Sequence, residues 1–220
     1  HILEEEAKRR TKAIYLKDGV IPMFPKELSY DLFSLIKGEN KKVLAHLYEF
    51  SPSFDLIGFE SKKALINVKE NYGFNDLTEI KNEREEKFIT GMQRLKTMLQ
   101  SEYPEVEKFY KHHYNNKEII FLDQLVNYIK VFGNHTITKK HIENEVPFLF
   151  CVNSNVNEDV NKLQKNNPNI DVQDMINKTK TFYSIENKGY YGLNLDCYAK
   201  TTTPVRNFAA LKNQDLFKKT

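Results

Sequence analysis

Tyr183-Ser184-Ile185-Glu186-Asn187-Lys188-Gly189-Tyr190-Tyr191-Gly192-Leu193, continued by Tyr198-Ala199-Lys200-Thr201-Thr202-Thr203-Pro204-Val205-Arg206-Asn207-Phe208-Ala209-Ala210-Leu211, decides how this chain is read. Neither helical nor strand periodicity accounts for its density of glycines, hydroxyls and aromatics. A second stretch of the same kind lies near the start: Tyr15-Leu16-Lys17-Asp18-Gly19-Val20-Ile21-Pro22-Met23-Phe24-Pro25, running on to Leu28-Ser29 and Asp31-Leu32. Around these two stretches the pattern is that of a scaffold. Leu3 to Ile14 is spaced for one helix face, and Gly19-Val20 with Pro22 to Pro25 breaks it into a stiff loop. Leu28, Leu32, Phe33, Leu35 and Ile36 predict a further helix, ended by the turn Lys37-Gly38-Glu39-Asn40. Val43 to Lys63 reads as a hairpin. Asn75 to Lys111 is helical with a break near Pro104, and Ile119 to Glu145 is a second long helix ending at Pro147. Phe148 to Val152 is a buried strand, and a polar, Asn-rich excursion over about residues 154–172 follows it. The segment from Tyr190 is a loop that ends at Pro204, placed to begin a closing helix as far as Leu216 or Phe217.

The 220 residues are 40% hydrophobic, enough for a real core in one domain or two small ones. With 33 Lys+Arg against 30 Asp+Glu, the net charge of +3 falls short of the basic stripe of a protein held to nucleic acid by charge alone. Any nucleic-acid role therefore needs a local site. Lys8-Arg9-Arg10, Lys139-Lys140-His141 and Lys218-Lys219 sit in helix-like patterns and read as solvated faces. No run approaches the roughly 18 apolar residues of a membrane helix, and HILEEEAKRR lacks a secretory core, so an intracellular protein, cytoplasmic or organellar, is expected. Cys151 and Cys197 stand in unlike contexts and predict neither a metal cluster nor a disulfide framework. His112-His113 point apart on a helix, and His135 and His141 miss the spacing of a chelating pair. None of the eight glycines builds a phosphate loop.

Taken together, the two stretches resemble the catalytic domain of the ribonuclease II and ribonuclease R (RNB) family of exoribonucleases. The family's Tyr, Ile-Pro-Met-Leu-Pro, Leu-Ser and Asp-Leu-Cys-Ser-Leu elements read here as Tyr15, Ile21 to Pro25, Leu28-Ser29 and Asp31 to Leu35. Its later Tyr-Ser-x-Glu-Asn-x-Gly-His-Phe-Gly-Leu and Thr-Ser-Pro-Ile-Arg-Arg-Tyr-x-Asp-Leu elements read as Tyr183 to Leu193 and Thr202 to Leu211. Weaker echoes are Glu6-Ala7 with Arg10, and Gly133-Asn134 followed by Pro147 to Phe150. The resemblance implies an α+β domain, mixed β-sheets flanked by helices around a channel, over residues 1–220 as a partial RNB-like domain lacking its N-terminal part. It implies 3′-to-5′ hydrolysis of single-stranded RNA with Mg2+, and RNA, with a larger ribonucleoprotein or degradation complex, as partners.

Roles fall on matching residues. Tyr15 matches the aromatic that stacks on a base near the 3′ end, a sequence-indifferent grip. Arg206 matches the first arginine of the family's pair, whose guanidinium braces charge on the scissile phosphate; it is the one catalytic candidate. Thr202 and Thr203 offer hydroxyls and amides to phosphate at a helix N-terminus, or simply cap that helix. Tyr190 and Tyr191 replace a His-Phe pair as channel or as core residues. Against this, the family's Asp-x-Asp-Asp-Ala type cluster, which binds the metals, has no counterpart, and no metal ligand is assigned. The chain is expected to begin downstream of it. The closest aspartate pair, Asp171 and Asp174, lies in the Asn-rich excursion. Asn207, Phe208 and Ala210 stand where the family has Arg, Tyr and Asp, which neutralises a phosphate-facing surface. Two main readings follow: the RNA-channel part of an exoribonuclease, or a degenerate, non-catalytic relative that binds RNA or serves as a scaffold.

Overall fold

A computed structural model of the chain describes residues 2–73, 82–107, 121–153, 165 and 181–217. The Asn-rich excursion with Asp171 and Asp174, the pair His112-His113 and the cluster Lys218-Lys219 lie outside these residues. The chain divides into two compact units, His1–Met23 with Leu99–Thr220, and Phe24–Met98.

The first unit opens with α1 (Ile2–Arg10), whose Glu4 and Glu5 in the first turn and basic residues in the last complement the helix dipole. Glu6 pairs with both Arg9 and Arg10 on this helix, at 2.8 and 2.6 Å. The helix stops short of the expected Ile14. Thr11 takes a left-handed φ of 62°, its amide closing back on the Ala7 carbonyl at 2.8 Å, and the chain leaves extended. Ile14 accordingly opens the small hairpin of β1 (Ile14–Leu16) and β2 (Gly19–Ile21), paired Ile14 to Ile21 through Leu16 to Gly19.

The centre of this unit is α3 (Phe121–Glu143), which follows α2 (Glu83–Glu102) in the chain. Residues 131–138 of α3 are all buried, so this helix is covered on every side and not along one stripe. Strand β5 (Phe150–Asn153) is buried at all four positions and pairs antiparallel with β6 (Thr181–Ser184), from Phe150 opposite Ser184 to Asn153 opposite Thr181. On its other side the Cys151 amide reaches the Tyr198 carbonyl at 2.7 Å. Asn213, fully buried on α4 (Phe208–Phe217), accepts from the Leu149 amide at 2.8 Å and donates to the Leu149 and Lys200 carbonyls.

Helix α4 begins at Phe208 and not at Pro204. Thr203 has a left-handed φ of 60°, the Arg206 amide turns back to the Thr203 carbonyl, and the Arg206 carbonyl is committed to the Ala13 amide at 2.9 Å. The helix is capped by Asn207, whose Oδ1 accepts from the Ala210 amide at 3.0 Å.

The second unit holds a single π-helical turn (Leu28–Leu32) where the sequence predicts a helix to Ile36. The Phe33 amide bonds to the Leu28 carbonyl, and the Ser34 hydroxyl to the Ser29 carbonyl, five residues apart in each case, which spends the helix in one wide turn. The long hairpin of β3 (Asn40–Phe50) and β4 (Leu56–Asn67) brackets the predicted one, in register from Asn40 opposite Asn67 with an irregularity at Glu49/Phe50. Cross-strand pairs hold it: Tyr48 and Phe59 ring centroids lie 5.1 Å apart, and His46 Nδ1 meets Ser61 Oγ at 2.6 Å. The whole is an α+β fold of helices and antiparallel two-stranded sheets. Among the described residues no helix is long and apolar enough to cross a membrane.

Candidate nucleic-acid interface

Within the first unit, the residues just before Tyr15 pair with the later of the two marked stretches. Residues 11–13 run antiparallel to residues 206–208: Ala13 donates to the Arg206 carbonyl, Phe208 donates to the Thr11 carbonyl at 2.8 Å, and Lys12 bridges Asn207. Leaving this seam, the chain enters β1 and presents Tyr15, which is 63% exposed. An aromatic that solvated is held in place by the short hairpin and not by burial. Its ring is therefore accessible to another π-face.

On the other side of the seam stands Arg206. Its side chain is exposed and makes no ion pair among the described residues. Lys130 and Lys200 lie near enough to share its field: burial chiefly lowers the Lys130 pKa, and the charges of Lys200 and Arg206 lower it further, with Asp123 acting in the opposite sense. Positive charge is thus concentrated here although the chain's net charge is small. The sequence reading passed over Lys130, which sits in a regular helical pattern, and named Lys200 only as part of a motif.

What holds the loop before Arg206 is Asn134, buried on α3. Its Oδ1 accepts from the Thr201 amide at 2.9 Å, the Thr201 hydroxyl at 2.8 Å and the Thr202 amide at 3.2 Å, while its Nδ2 donates to the Tyr198 hydroxyl at 2.9 Å. The sequence held Asn134 only as a weak echo. The Thr202 amide is consequently spent within the protein, and with α4 starting at Phe208 neither Thr202 nor Thr203 sits at a helix N-terminus. Of the two residues, Thr202 is half-buried and Thr203 exposed.

The tyrosine pair splits. Tyr190 is 6% exposed, its ring centroid 5.1 Å from that of Tyr198, and its hydroxyl lies 3.1 Å from that of Thr181. Tyr191 is 42% exposed. Gly189 makes this turn possible: its φ is 72°, and a Cβ there would lie 3.3 Å from the Leu195 carbonyl oxygen. Tyr183, 41% exposed, reaches Asn207, whose Nδ2 donates to the tyrosine hydroxyl at 3.0 Å. Asn207, in the place of an arginine, thus caps a helix and orients a tyrosine.

Magnesium requires a set of oxygen ligands. Among the described residues the one group of three that is close enough to hold an ion is His135, Asp196 and Cys197, a nitrogen, an oxygen and a sulfur. These donors do not fit Mg2+. Of the two cysteines, Cys197 lies in this group. Cys151, buried in β5, stands apart from it, its thiol pushed up to about 11 by burial.

A family model described as the RNB domain matches residues 1–220. Ribonuclease R of Mycoplasmopsis pulmonis is 24% identical, over 98% of this chain and 37% of that protein. Among solved structures, Mycoplasma genitalium RNase R in complex with ribose-methylated single-stranded RNA is similar with a TM-score of 0.76 at 17% identity, over 99% of this chain and 43% of that one. Yeast Ssd1, a pseudonuclease, is similar with a TM-score of 0.69 at 15% identity, over 99% of this chain and 34% of that one. The chain spans less than half the length of each of these relatives.

Proposed function

Because this chain belongs to the RNB domain family, we propose that it forms the RNA-channel part of a 3′-to-5′ exoribonuclease, gripping single-stranded RNA without supplying the metal ligands. The observation that carries this reading is the seam that sets exposed Tyr15 on one side and, on the other, exposed Arg206, which makes no ion pair among the described residues. A base stacks on Tyr15, and the phosphate backbone runs along Arg206, Lys130 and Lys200, with the hydroxyls of Thr202 and Thr203 and the ring of Tyr191 as further contacts. Both kinds of contact are indifferent to base identity, as processive degradation requires. Arg206 braces the scissile phosphate when the metal-bearing residues are brought to it. In this reading Tyr190 supports the site from the core, since burial removes its ring from any strand.

A second reading, a non-catalytic relative, is favoured by two observations: Asn207 and Ala210 stand in place of charged family residues, and the described residues hold no carboxylate cluster. The first reading, and the RNA-binding form of the second, require RNA binding at the same surface. Binding of a labelled single-stranded oligonucleotide, followed by fluorescence anisotropy at several salt concentrations, tests it. Arg206→Ala is expected to weaken binding and to reduce the log–log salt slope by about 0.7, as for one lost phosphate contact on a single strand. Lys62→Ala, on the long hairpin of the other unit, is expected to leave both unchanged. Equal slopes in the two variants would remove Arg206 from the interface.

A further inference from the structure

We propose that His135, Asp196 and Cys197 form a binding site for one divalent transition-metal ion of the zinc class. The three ligand atoms, one from each side chain, all lie within 4.8 Å of one another. Ligands sharing a tetrahedral zinc ion at bond lengths near 2.0 to 2.3 Å stand about 3.3 to 3.8 Å apart, so small side-chain rotations suffice. His135 Nε2 already meets Asp196 Oδ1 at 2.8 Å, and the same oxygen accepts from the Cys197 amide at 3.0 Å. The donors therefore converge on one point, with His135 delivered by α3 and the other two by the loop after β6.

Two surrounding features belong to a ligand site. The far nitrogen of the imidazole, Nδ1, lies 3.0 Å from the Tyr103 hydroxyl, which sets the ring orientation and leaves Nε2 to face the carboxylate and thiol. Burial divides the ligands unevenly: Cys197 is 1% exposed and His135 is buried, whereas the Asp196 side chain is largely in water. An ion held here would keep a coordination position open to solvent. The charges match as well, since Asp196, a Cys197 thiolate and nearby Glu102 oppose the ion and Lys139.

The donor set selects the metal. Thiolate and imidazole favour zinc, cobalt or copper over magnesium. Binding displaces the Cys197 proton to solvent, and the neutral imidazole carries its single proton on Nδ1 toward the Tyr103 oxygen, so one proton is released per ion. The site does not depend on the RNA-binding reading.

Cobalt titration of the full chain under reducing conditions tests the proposal. One equivalent of Co2+ is expected to produce a thiolate-to-cobalt charge-transfer band in the near ultraviolet with visible bands of a tetrahedral centre, bleached by one equivalent of Zn2+. Cys197→Ser is expected to abolish the charge-transfer band, and Cys151→Ser to leave it intact. Asp196→Asn changes a solvent-facing side chain and is expected to weaken cobalt binding at least tenfold. No band at one equivalent, a band that survives Cys197→Ser, or unchanged affinity in Asp196→Asn would overturn the site. The last of these decides the matter even if the cysteine variant does not fold.

Discussion

A single buried amide, Asn134, organises the loop that carries Arg206. Its side chain satisfies the Thr201 amide and hydroxyl, the Thr202 amide and the Tyr198 hydroxyl. Each buried polar group left unmet costs about 1–3 kcal/mol, so Asn134→Ala is expected to destabilise the protein by at least about 3 kcal/mol, seen as a lower urea midpoint. Tyr15 is the opposite case: Tyr15→Ala removes an exposed ring, with no change in the urea midpoint expected. Its RNA affinity is expected to fall by the 1–3 kcal/mol (roughly 5- to 150-fold) typical of one stacked base. The motif makes Tyr15 and Arg206 legible in the sequence, because family residues match them directly. Asn134 is less legible, since its partners lie more than sixty residues away in the chain and only folding brings them together. Histidine titration gives a further prediction. Burial lowers the pKa of His135 and His141 below the ordinary 6.5, so on acidification the unfolded chain takes up protons first. Stability is then complete above pH 6.5 and is lost as pH falls below it, and the urea midpoint at pH 5.5 is expected to lie below that at pH 8. A midpoint that rose on acidification would contradict this sign.

Elements follow their sequence patterns where a pattern is regular and depart where a local hydrogen bond competes with it. The long hairpin and α3 lie close to the expected spans, since alternation and helical spacing persist over many residues there. Helix α1 ends at Arg10 because residues 11–13 are drawn into the seam with residues 206–208, a pairing across nearly the whole chain that no local pattern announces. The same seam delays α4 to Phe208 and turns Asn207 into its cap. Proline at position 204 is a valid helix-start signal, but Thr203 turns left-handed beside it and the Arg206 carbonyl is taken by Ala13. Asn207→Arg, which restores the family's charge, isolates this element. It is expected to lower stability by about 0.5–2 kcal/mol through loss of the cap. RNA affinity is expected to rise, with the salt slope steeper by about 0.7. Urea unfolding and anisotropy on the same preparation check both directions.

Over the whole molecule, the charge that matters is local. A net charge of +3 argues against binding by charge alone, yet Lys130, Lys200 and Arg206 share one field at the seam. The exposed Tyr15 ring and the cations Lys130, Lys200 and Arg206 stand on a buried, hydrogen-bonded support. The described residues do not supply the oxygen cluster that Mg2+ requires. On the proposed reading, holding RNA and cutting it are separable. The direct measurement is a gel with end-labelled single-stranded RNA and the purified 220-residue chain, run native and denaturing, with magnesium, with manganese and with EDTA. RNA that is shifted on the native gel in a salt-sensitive way and remains full length in all three conditions is the expected result. Metal-dependent shortening from the 3′ end would show that the chain carries its own catalytic metal ligands, and RNA neither shifted nor shortened would show that the seam is not an RNA interface.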